Sequence, residues 1–311
     1  MSFASFIVKL TDKVLDRTWN NYHFPDIEEI KDIVYDEDNA KACMLDIYRK
    51  KTEGKQPVFF NIHGGSFVGG GRKSRRGFSR YIATLGYVVV NISYGLAPKH
   101  KYPENLKHAV AALRWVENNA EKYNFDTDRV VISGDSAGGY LASSLMGICV
   151  NKRVREKLEV QDFNIRPMAG VYYCGIYDMP YSLQNNSPLS MHKAIARDAF
   201  GITKITDALF EEYPYTDVLS PIDHIVAEYP PIFIAHSDKD MLCPRQGDRM
   251  IEKFKENNVK FWEFRATKKA KCIHCWHLTQ SDPKAQACLD GSAKFLAALL
   301  KGDIENYYME I

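Results

Sequence analysis

The stretch that decides the fold of this 311-residue chain is VVISGDSAGGYLA, residues 130–142. A short apolar run leads directly into GDSAG (134–138), and helix-forming residues follow. The pattern G-x-S-x-G between a strand and a helix predicts a sharp turn that lifts a serine hydroxyl above the end of a sheet. Glycines on either side let the backbone make that turn without clashes. We therefore predict that Ser136 is a nucleophile, with a chance glycine–serine turn as the alternative.

Short apolar runs alternate with segments of helical periodicity along the chain, which is the pattern of βαβ units. Near-continuous apolar runs indicate strands that are buried on both faces of a mostly parallel sheet. The predicted strands are 33–35, 42–48, 57–62, 87–92, 129–133, 168–174, 231–236 and 260–265, of which the last is expected to close the sheet. The clearest predicted helices are 103–123, 137–149 and 284–300. The expected fold class is α/β, a central sheet flanked by helices, in one catalytic domain over residues 1–311.

Two segments, residues 1–30 and 179–228, do not fit this alternation. The first has apolar residues at helical spacing and predicts an amphipathic helix; they are Phe3, Phe6, Ile7, Leu10, Val14 and Leu15. Long irregular insertions in a compact domain are usually lids or binding loops. We predict that the two segments form a small cap over the site. Six tyrosines in the second segment or shortly before it could stack on sugar or aryl rings, with ordinary burial as the alternative: Tyr172, Tyr173, Tyr177, Tyr181, Tyr213 and Tyr215.

Composition excludes several classes of partner. Lys and Arg total 41 against 39 Asp and Glu, and the net charge of +2 creates no field that would attract nucleic acid. No run reaches the roughly 18 apolar residues of a membrane span. The amino terminus is a poor secretory signal, and the odd count of seven cysteines favours reduced thiols. We therefore expect a cytoplasmic protein that has no nucleic-acid partner and no membrane span.

One local run of positive charge breaks this balance, and it comprises Arg72, Lys73, Arg75, Arg76 and Arg80. Short basic clusters are usually solvated surface. The alternative is a rim that favours acidic or phosphorylated substrates.

A glycine-rich loop follows the strand at 57–62, reading HGGSF at 63–67 and GGG at 69–71. A tetrahedral intermediate needs N–H donors about 3 Å from its oxyanion, and residues without side chains let the backbone approach that closely. Gly64, Gly65 and the N–H of Ala137 are the expected donors, and His63 is expected to brace the loop. A flexible turn or a phosphate cradle are alternatives, but the phosphate-loop lysine pattern does not occur.

The acid and the base are expected after the nucleophile, in the order Ser, Asp or Glu, then His. Asp240 lies in SDKDMLCP (237–244), with Asp238 as a rival, and would orient the base. His274 lies in KCIHCWHL (271–278), with His277 as a rival. The latter segment also interleaves C-x-x-C and H-x-x-H. Zinc sites normally draw ligands from two separated pairs, and no second pair is evident, so we predict packing and no metal.

Taken together, these segments resemble the hormone-sensitive-lipase-like group of α/β-hydrolases, the bacterial esterase and acetyl-esterase branch. The matching segments are NIHGGSF (61–67), SYGLAP (93–98), HKYP (100–103), AALRWV (111–116), DRVVISGDSAGGY (128–140), DMLCP (240–244) and HCWHL (274–278). The resemblance implies an α/β-hydrolase fold and ester hydrolysis without a cofactor. It also implies a triad of Ser136, His274 and Asp240.

The chain departs from the family pattern at a few positions. Ser66 stands where the family often has a third glycine. Gly95 and Lys99 replace an arginine and a glutamate, and His108 replaces a commonly acidic residue in the next helix. These changes affect the support of the loop at 63–71. We expect them to alter the range of substrates more than the chemistry.

The expected function is hydrolysis of short-chain acyl esters, acetyl or similar, on sugar or aryl alcohols. An amidase or peptidase would use the same triad and is the main alternative. A binding module without turnover would normally lack one triad member, and all three candidates are present. The expected partner is a small-molecule ester, and a homodimer is left open.

Overall fold

A mostly parallel nine-stranded sheet forms the centre of the protein in a computed structural model, which describes residues 8, 10, 14–20, 22, 24–184, 191–206, 212–302 and 304–311. The order of strands is β1-β2-β4-β3-β5-β6-β7-β8-β9, and only the pairings β1–β2 and β2–β4 are antiparallel. The strands are β1 (Ile27–Val34), β2 (Met44–Lys50), β3 (Gln56–Ile62), β4 (Val88–Ile92), β5 (Phe125–Asp135), β6 (Ala169–Tyr173), β7 (Ile232–Ser237), β8 (Phe261–Ala266) and β9 (Tyr307–Glu310).

Helices cover both faces of this sheet. They are α1 (Arg76–Thr84), α2 (Glu104–Asn118), α3 (Ala120–Tyr123), α4 (Ala137–Val150), α5 (Lys152–Lys157), α6 (Met179–Gln184), α7 (Met191–Ile195), α8 (Gln246–Glu256) and α9 (Pro283–Lys301). A π-helical turn, Ala196–Phe200, follows α7, and 3-10 turns lie at Arg72–Arg75, Thr216–Val218, Pro221–His224 and Trp276–Leu278. The expected α/β architecture is confirmed.

The alternation of side chains on β3 explains the two layers. Val58 and Phe60 pack in the core layer that contains α2 and α4, whereas Phe59 packs in the opposite layer with α1 and α9. All three side chains are fully buried. Because the strand is buried on both faces, it is hydrophobic at nearly every position.

Two expectations about element bounds need correction. β8 does not close the sheet, because β9 pairs with it in parallel near the carboxyl terminus. β1 begins at Ile27, so the end of the segment expected to lie in the cap belongs to the sheet. Residues 14–19 are helical, whereas Phe3, Phe6 and Ile7 of the predicted amphipathic helix lie outside the described residues.

The carboxyl ends of the parallel strands meet at one edge of the sheet. The glycine-rich loop follows β3, the serine turn follows β5, and the loops that carry Asp240 and His274 follow β7 and β8. In open α/β sheets this edge is where ligands bind.

Candidate active site

Ser136 occupies a strained turn between β5 and α4. Its φ of 54° and ψ of −123° are unfavourable for a residue with a side chain, and its N–H donates to the carbonyl of Tyr173 at 2.9 Å. A Cβ on Gly134 would collide with the carbonyl of Gly138, and one on Gly138 would collide with the carbonyl of Ile62. The glycines of GDSAG are therefore required by close backbone contacts, and α4 begins directly after the serine.

Asp240 and His274 form a hydrogen-bonded pair at the same edge. The distance from His274 Nδ1 to Asp240 Oδ2 is 2.7 Å, and Asp240 Oδ1 accepts the N–H groups of Leu242 and Cys243 at 2.9 Å each. Burial alone would raise the pKa of Asp240, but His274 and the two N–H groups lower it. Burial alone would lower the pKa of His274, but the Asp240 carboxylate raises it well above the ordinary value.

The two rival residues lie in other environments. Asp238 forms an ion pair with Arg265 at 2.7 Å. His277 is buried and stacks on Tyr173, with ring centroids 4.1 Å apart. Burial lowers the pKa of His277 to about 3, so this imidazole stays neutral. The structure therefore pairs Asp240 with His274 and gives neither rival a place in that pair.

Gly64, one of the expected oxyanion donors, lies away from the cavity in the glycine-rich loop. Gly64 donates its N–H to Asp135 Oδ1 at 3.3 Å and does not line the cavity described below. Gly65 and Ser66 do line it, and both have positive φ, 131° and 55°. His63 stacks on Tyr94 at 4.5 Å, and its Nδ1 lies 2.7 Å from the Gly64 carbonyl. His63 thus braces the loop, and Gly64 anchors it.

The basic run is neither a solvated face nor a free cationic rim. Arg75 binds Asp135 through two nitrogens, at 2.7 and 2.6 Å. Arg72 is also buried and binds Asp46 at 2.8 Å. Arg76 and Arg80 form ion pairs with Asp16 and Glu29 respectively. Only Lys73 of the run is an exposed residue.

The departures from the family pattern fit together around His108. The N–H of Gly95 donates to His108 Nδ1 at 3.1 Å. A Cβ at position 95 would lie 2.5 Å from the His108 ring and 2.6 Å from the ring of His100. Glycine at position 95 therefore leaves room for the rings of His100 and His108.

A cavity of about 390 Å³ joins these elements. Ser136 and His274 both line it, and most of its wall is apolar. The apolar side chains are Val8, Leu15, Trp19, Ile176, Met179, Leu183, Met191, Ile195, Leu242 and Ile273. The N-terminal segment, α6 and α7 thus all contribute to the cavity wall. Parts of both predicted cap segments, including residues 185–190 and 207–211, lie outside the described residues.

Among the described residues that line this cavity there is none of the six tyrosines considered for ring stacking. Tyr172, Tyr173 and Tyr177 are fully buried. Tyr181 lies under the guanidinium of Arg249 at 4.5 Å, and the others pack in a cluster with Tyr102. Packing against other side chains, the alternative given above, accounts for their positions in the described structure.

Side chains of metal-ligand type cluster in two places among the described residues. Cys174 and Cys275 lie beside His274, and Cys243 lies beside Asp240 and His274. The second cluster surrounds His108 and comprises Asp36, Cys43, His100 and Glu104. Sequence reasoning missed Cys174 because it follows a different strand from the C-x-x-C segment.

No described helix is long and apolar enough to cross a membrane.

Sequence comparison places this chain among known esterases and related hydrolases. The model of the BD-FAE family matches residues 45–254. The probable carboxylic ester hydrolase LipM of Mycobacterium tuberculosis is 32% identical over 222 residues, which are 70% of this chain and 49% of LipM. Arylacetamide deacetylase of Mus musculus is 40% identical over 121 residues, 37% of this chain and 30% of that protein. The chain therefore spans about half the length of LipM, and less of the deacetylase.

Solved structures confirm the fold. Esterase B from Lactobacillus rhamnosis superimposes with a TM-score of 0.81 at 20% identity, over 94% of this chain and 93% of that one. An esterase from the archaeon Pyrobaculum calidifontis gives a TM-score of 0.72 at 22% identity, over 96% and 92% of the two chains. The family match covers more than half of the chain, and the sheet has the topology that the resemblance implied. The chain belongs to the BD-FAE family and has the α/β-hydrolase fold.

Proposed function

We propose that this protein is a serine carboxylesterase with Ser136 as nucleophile, His274 as general base and Asp240 as the residue that orients the base. The observation that carries the proposal is the hydrogen bond of Asp240 to His274, which lines the same cavity as Ser136. Asp240 accepts the Nδ1 proton, so the lone pair of His274 is on Nε2. Nε2 is buried and has no hydrogen-bond partner among the described residues. Such contacts are often long before substrate binds.

The proposed reaction has two stages. Ser136 Oγ attacks the ester carbonyl while Nε2 of His274 takes its proton, and the imidazolium then protonates the leaving alcohol. Water attacks the acyl-enzyme with the same base and releases the acid. The oxyanion would accept N–H groups from Gly65, Ser66 and Ala137. We place Ser66 there instead of Gly64, because the Gly64 N–H already donates to Asp135.

Short-chain acyl esters are the proposed substrates. The cavity volume of about 390 Å³ suits a small ligand, and the apolar wall favours an uncharged one. The Arg75 guanidinium at the cavity is neutralised by Asp135, so it offers little to an acidic substrate. Among the proposed alcohols, the apolar wall favours an aryl group over a sugar.

Replacement of the nucleophile tests the proposal. Ser136→Ala should abolish hydrolysis of p-nitrophenyl acetate and labelling by a fluorophosphonate probe. Ser133→Ala is the matched control, because Ser133 is buried three positions earlier and its hydroxyl has no hydrogen-bond partner in the described structure. Retained turnover or labelling in Ser136→Ala would disprove the assignment.

Amide hydrolysis is a second candidate, supported by the similarity to a protein named a deacetylase. Parallel assays with p-nitrophenyl acetate and p-nitroacetanilide separate the two activities, because the acyl group is the same and only the leaving group differs. The carboxylesterase proposal expects the ester to have the much higher kcat/KM. A higher kcat/KM for the anilide would favour the amidase.

A further inference from the structure

Two thiols lie beside the proposed catalytic base. Cys174 follows β6 and Cys275 follows β8, and their Sγ atoms and one ring nitrogen of His274 all lie within 4.8 Å of one another. The ligand atoms of tetrahedral zinc, with bonds of about 2.3 Å to sulfur and about 2.0 Å to nitrogen, also lie within that limit of one another. His274 and Cys275 line the cavity, so the group lies next to the space that the substrate would occupy.

The hydrogen bond of His274 to Asp240 orients the ring as in a metal ligand. In the neutral ring, Asp240 accepts the Nδ1 proton at 2.7 Å, which leaves the lone pair on Nε2. Zinc-binding histidines commonly donate their other N–H to a carboxylate in this way, which fixes the ring and increases its basicity. Nε2 has no hydrogen-bond partner within the described ranges and is therefore available to a metal ion.

The cluster around His108 has no histidine nitrogen of this kind at His108. The Gly95 N–H donates to His108 Nδ1, so the neutral ring carries its proton on Nε2 and has no lone pair left for a metal. Both candidate ligand sets in that cluster include His108. The comparison therefore favours the group at His274.

We propose that Cys174, His274 and Cys275 form an inhibitory Zn²⁺ site; the inhibition, though not the binding, rests on the proposed esterase function. Each thiol releases one proton to solvent and forms a Zn–S bond, and Nε2 of His274 supplies the third ligand. Two thiolates balance the charge of the ion. A Cys₂His set with an open fourth position is an established zinc geometry. With its lone pair on zinc, His274 cannot take the proton of Ser136, and hydrolysis stops until a chelator removes the ion.

The experiment titrates the full chain with Zn²⁺ in the p-nitrophenyl acetate assay and, separately, with Co²⁺ in an absorption spectrometer. For each variant, inhibition is measured relative to the rate of that variant without zinc. Cys174→Ala and Cys275→Ala should each raise the zinc concentration for half-inhibition by at least about tenfold. The thiolate–cobalt charge-transfer band should disappear in both variants. Cys272→Ser is the matched control, because Cys272 is buried in the same loop but outside the cluster, and it should behave as wild type.

Equal zinc sensitivity in wild type and Cys174→Ala, or no cobalt–thiolate band in wild type, would overturn the site. If Cys275→Ala does not fold, Cys174→Ala alone decides. Suppose that the wild-type chain hydrolyses no ester but shows the cobalt–thiolate band, and that Cys174→Ala abolishes the band. This result would refute the proposed function and leave the metal site intact. Inactivation by hydrogen peroxide that dithiothreitol reverses, without any cobalt band, would assign the thiols to oxidation and overturn the zinc site.

Discussion

Arg75 and Asp135, the residue that precedes the proposed nucleophile Ser136, form a buried two-point ion pair. Both side chains are only 4% exposed. Burial alone would raise the pKa of Asp135, but Arg75 lowers it to about 2, so the carboxylate stays charged. Asp135 also accepts the N–H of Gly64, and the ring of Trp19 lies 4.9 Å from the Arg75 guanidinium. One ion pair therefore connects the serine turn, the glycine-rich loop and the N-terminal segment.

Loss of Arg75 should be much more harmful than loss of its neighbour. Arg75→Ala leaves the Asp135 carboxylate buried without its cation, and we expect a loss of about 3–5 kcal/mol in the free energy of unfolding. Arg76 pairs with Asp16 near the surface, at 3.2 Å, so Arg76→Ala should cost no more than about 1 kcal/mol. Urea denaturation followed by tryptophan fluorescence measures both losses. Equal losses would show that the buried ion pair contributes no more to stability than the exposed one.

The pH dependence of hydrolysis should report His274. Only the neutral imidazole can accept the proton of Ser136, and Asp240 raises the pKa of His274. We therefore expect kcat/KM to fall as the pH decreases, with a midpoint above the ordinary histidine pKa of about 6.5. Asp240→Asn should move this midpoint to lower pH and lower kcat by about 10⁴-fold. An unmoved midpoint would assign the titration to another group.

Buried neutral histidines should make the fold sensitive to acid. Burial lowers the pKa of His63 and His224 to about 4 and of His277 to about 3. The unfolded chain binds protons at these rings below about pH 6.5, but the folded chain does not, so stability falls as the pH decreases from there towards 4. Each ring contributes a slope of about 1.4 kcal/mol per pH unit.

The variant His277→Phe tests this slope, because it keeps a ring on Tyr173 and removes one titrating group. Denaturation at pH 7 and pH 5 should show a smaller difference in unfolding free energy than in wild type. Its kcat should stay near wild type, whereas His274→Ala should lose several orders of magnitude. Loss of turnover in His277→Phe without loss of folding would reverse the choice between the two histidines.

Two adjacent glycines should respond differently to alanine. Gly70 has a φ of 85°, and a Cβ there would collide with the Gly64 carbonyl and press on His63. Gly70→Ala should displace the oxyanion loop and lower kcat by about 10²-fold. Gly71 has extended backbone, and its Cβ would lie 3.8 Å from Ser93 Oγ, so Gly71→Ala should change kcat by less than about twofold. Steady-state kinetics on p-nitrophenyl acetate compares them, and equal effects would contradict the proposed loop geometry.

The sequence by itself determined the fold class, the family and the serine turn. These depend on local features: a strand that is apolar on both faces, a glycine on either side of Ser136, and the order of motifs along the chain. Each acts within a few residues, since backbone sterics and hydrophobic periodicity are short-range. The missed strand β9 shows the limit, because its exposed edge position leaves YYME without a strongly apolar pattern.

Only the tertiary structure decided which side chains meet. It paired Asp240 with His274, buried Arg75 against Asp135, and directed the N–H of Gly64 to that carboxylate in place of the cavity. It also brought Cys174 to Cys275 from the end of another strand. Parallel strands bring distant segments to one edge, and the charge and accessibility of each group then follow from what surrounds it there. No local pattern contains that information.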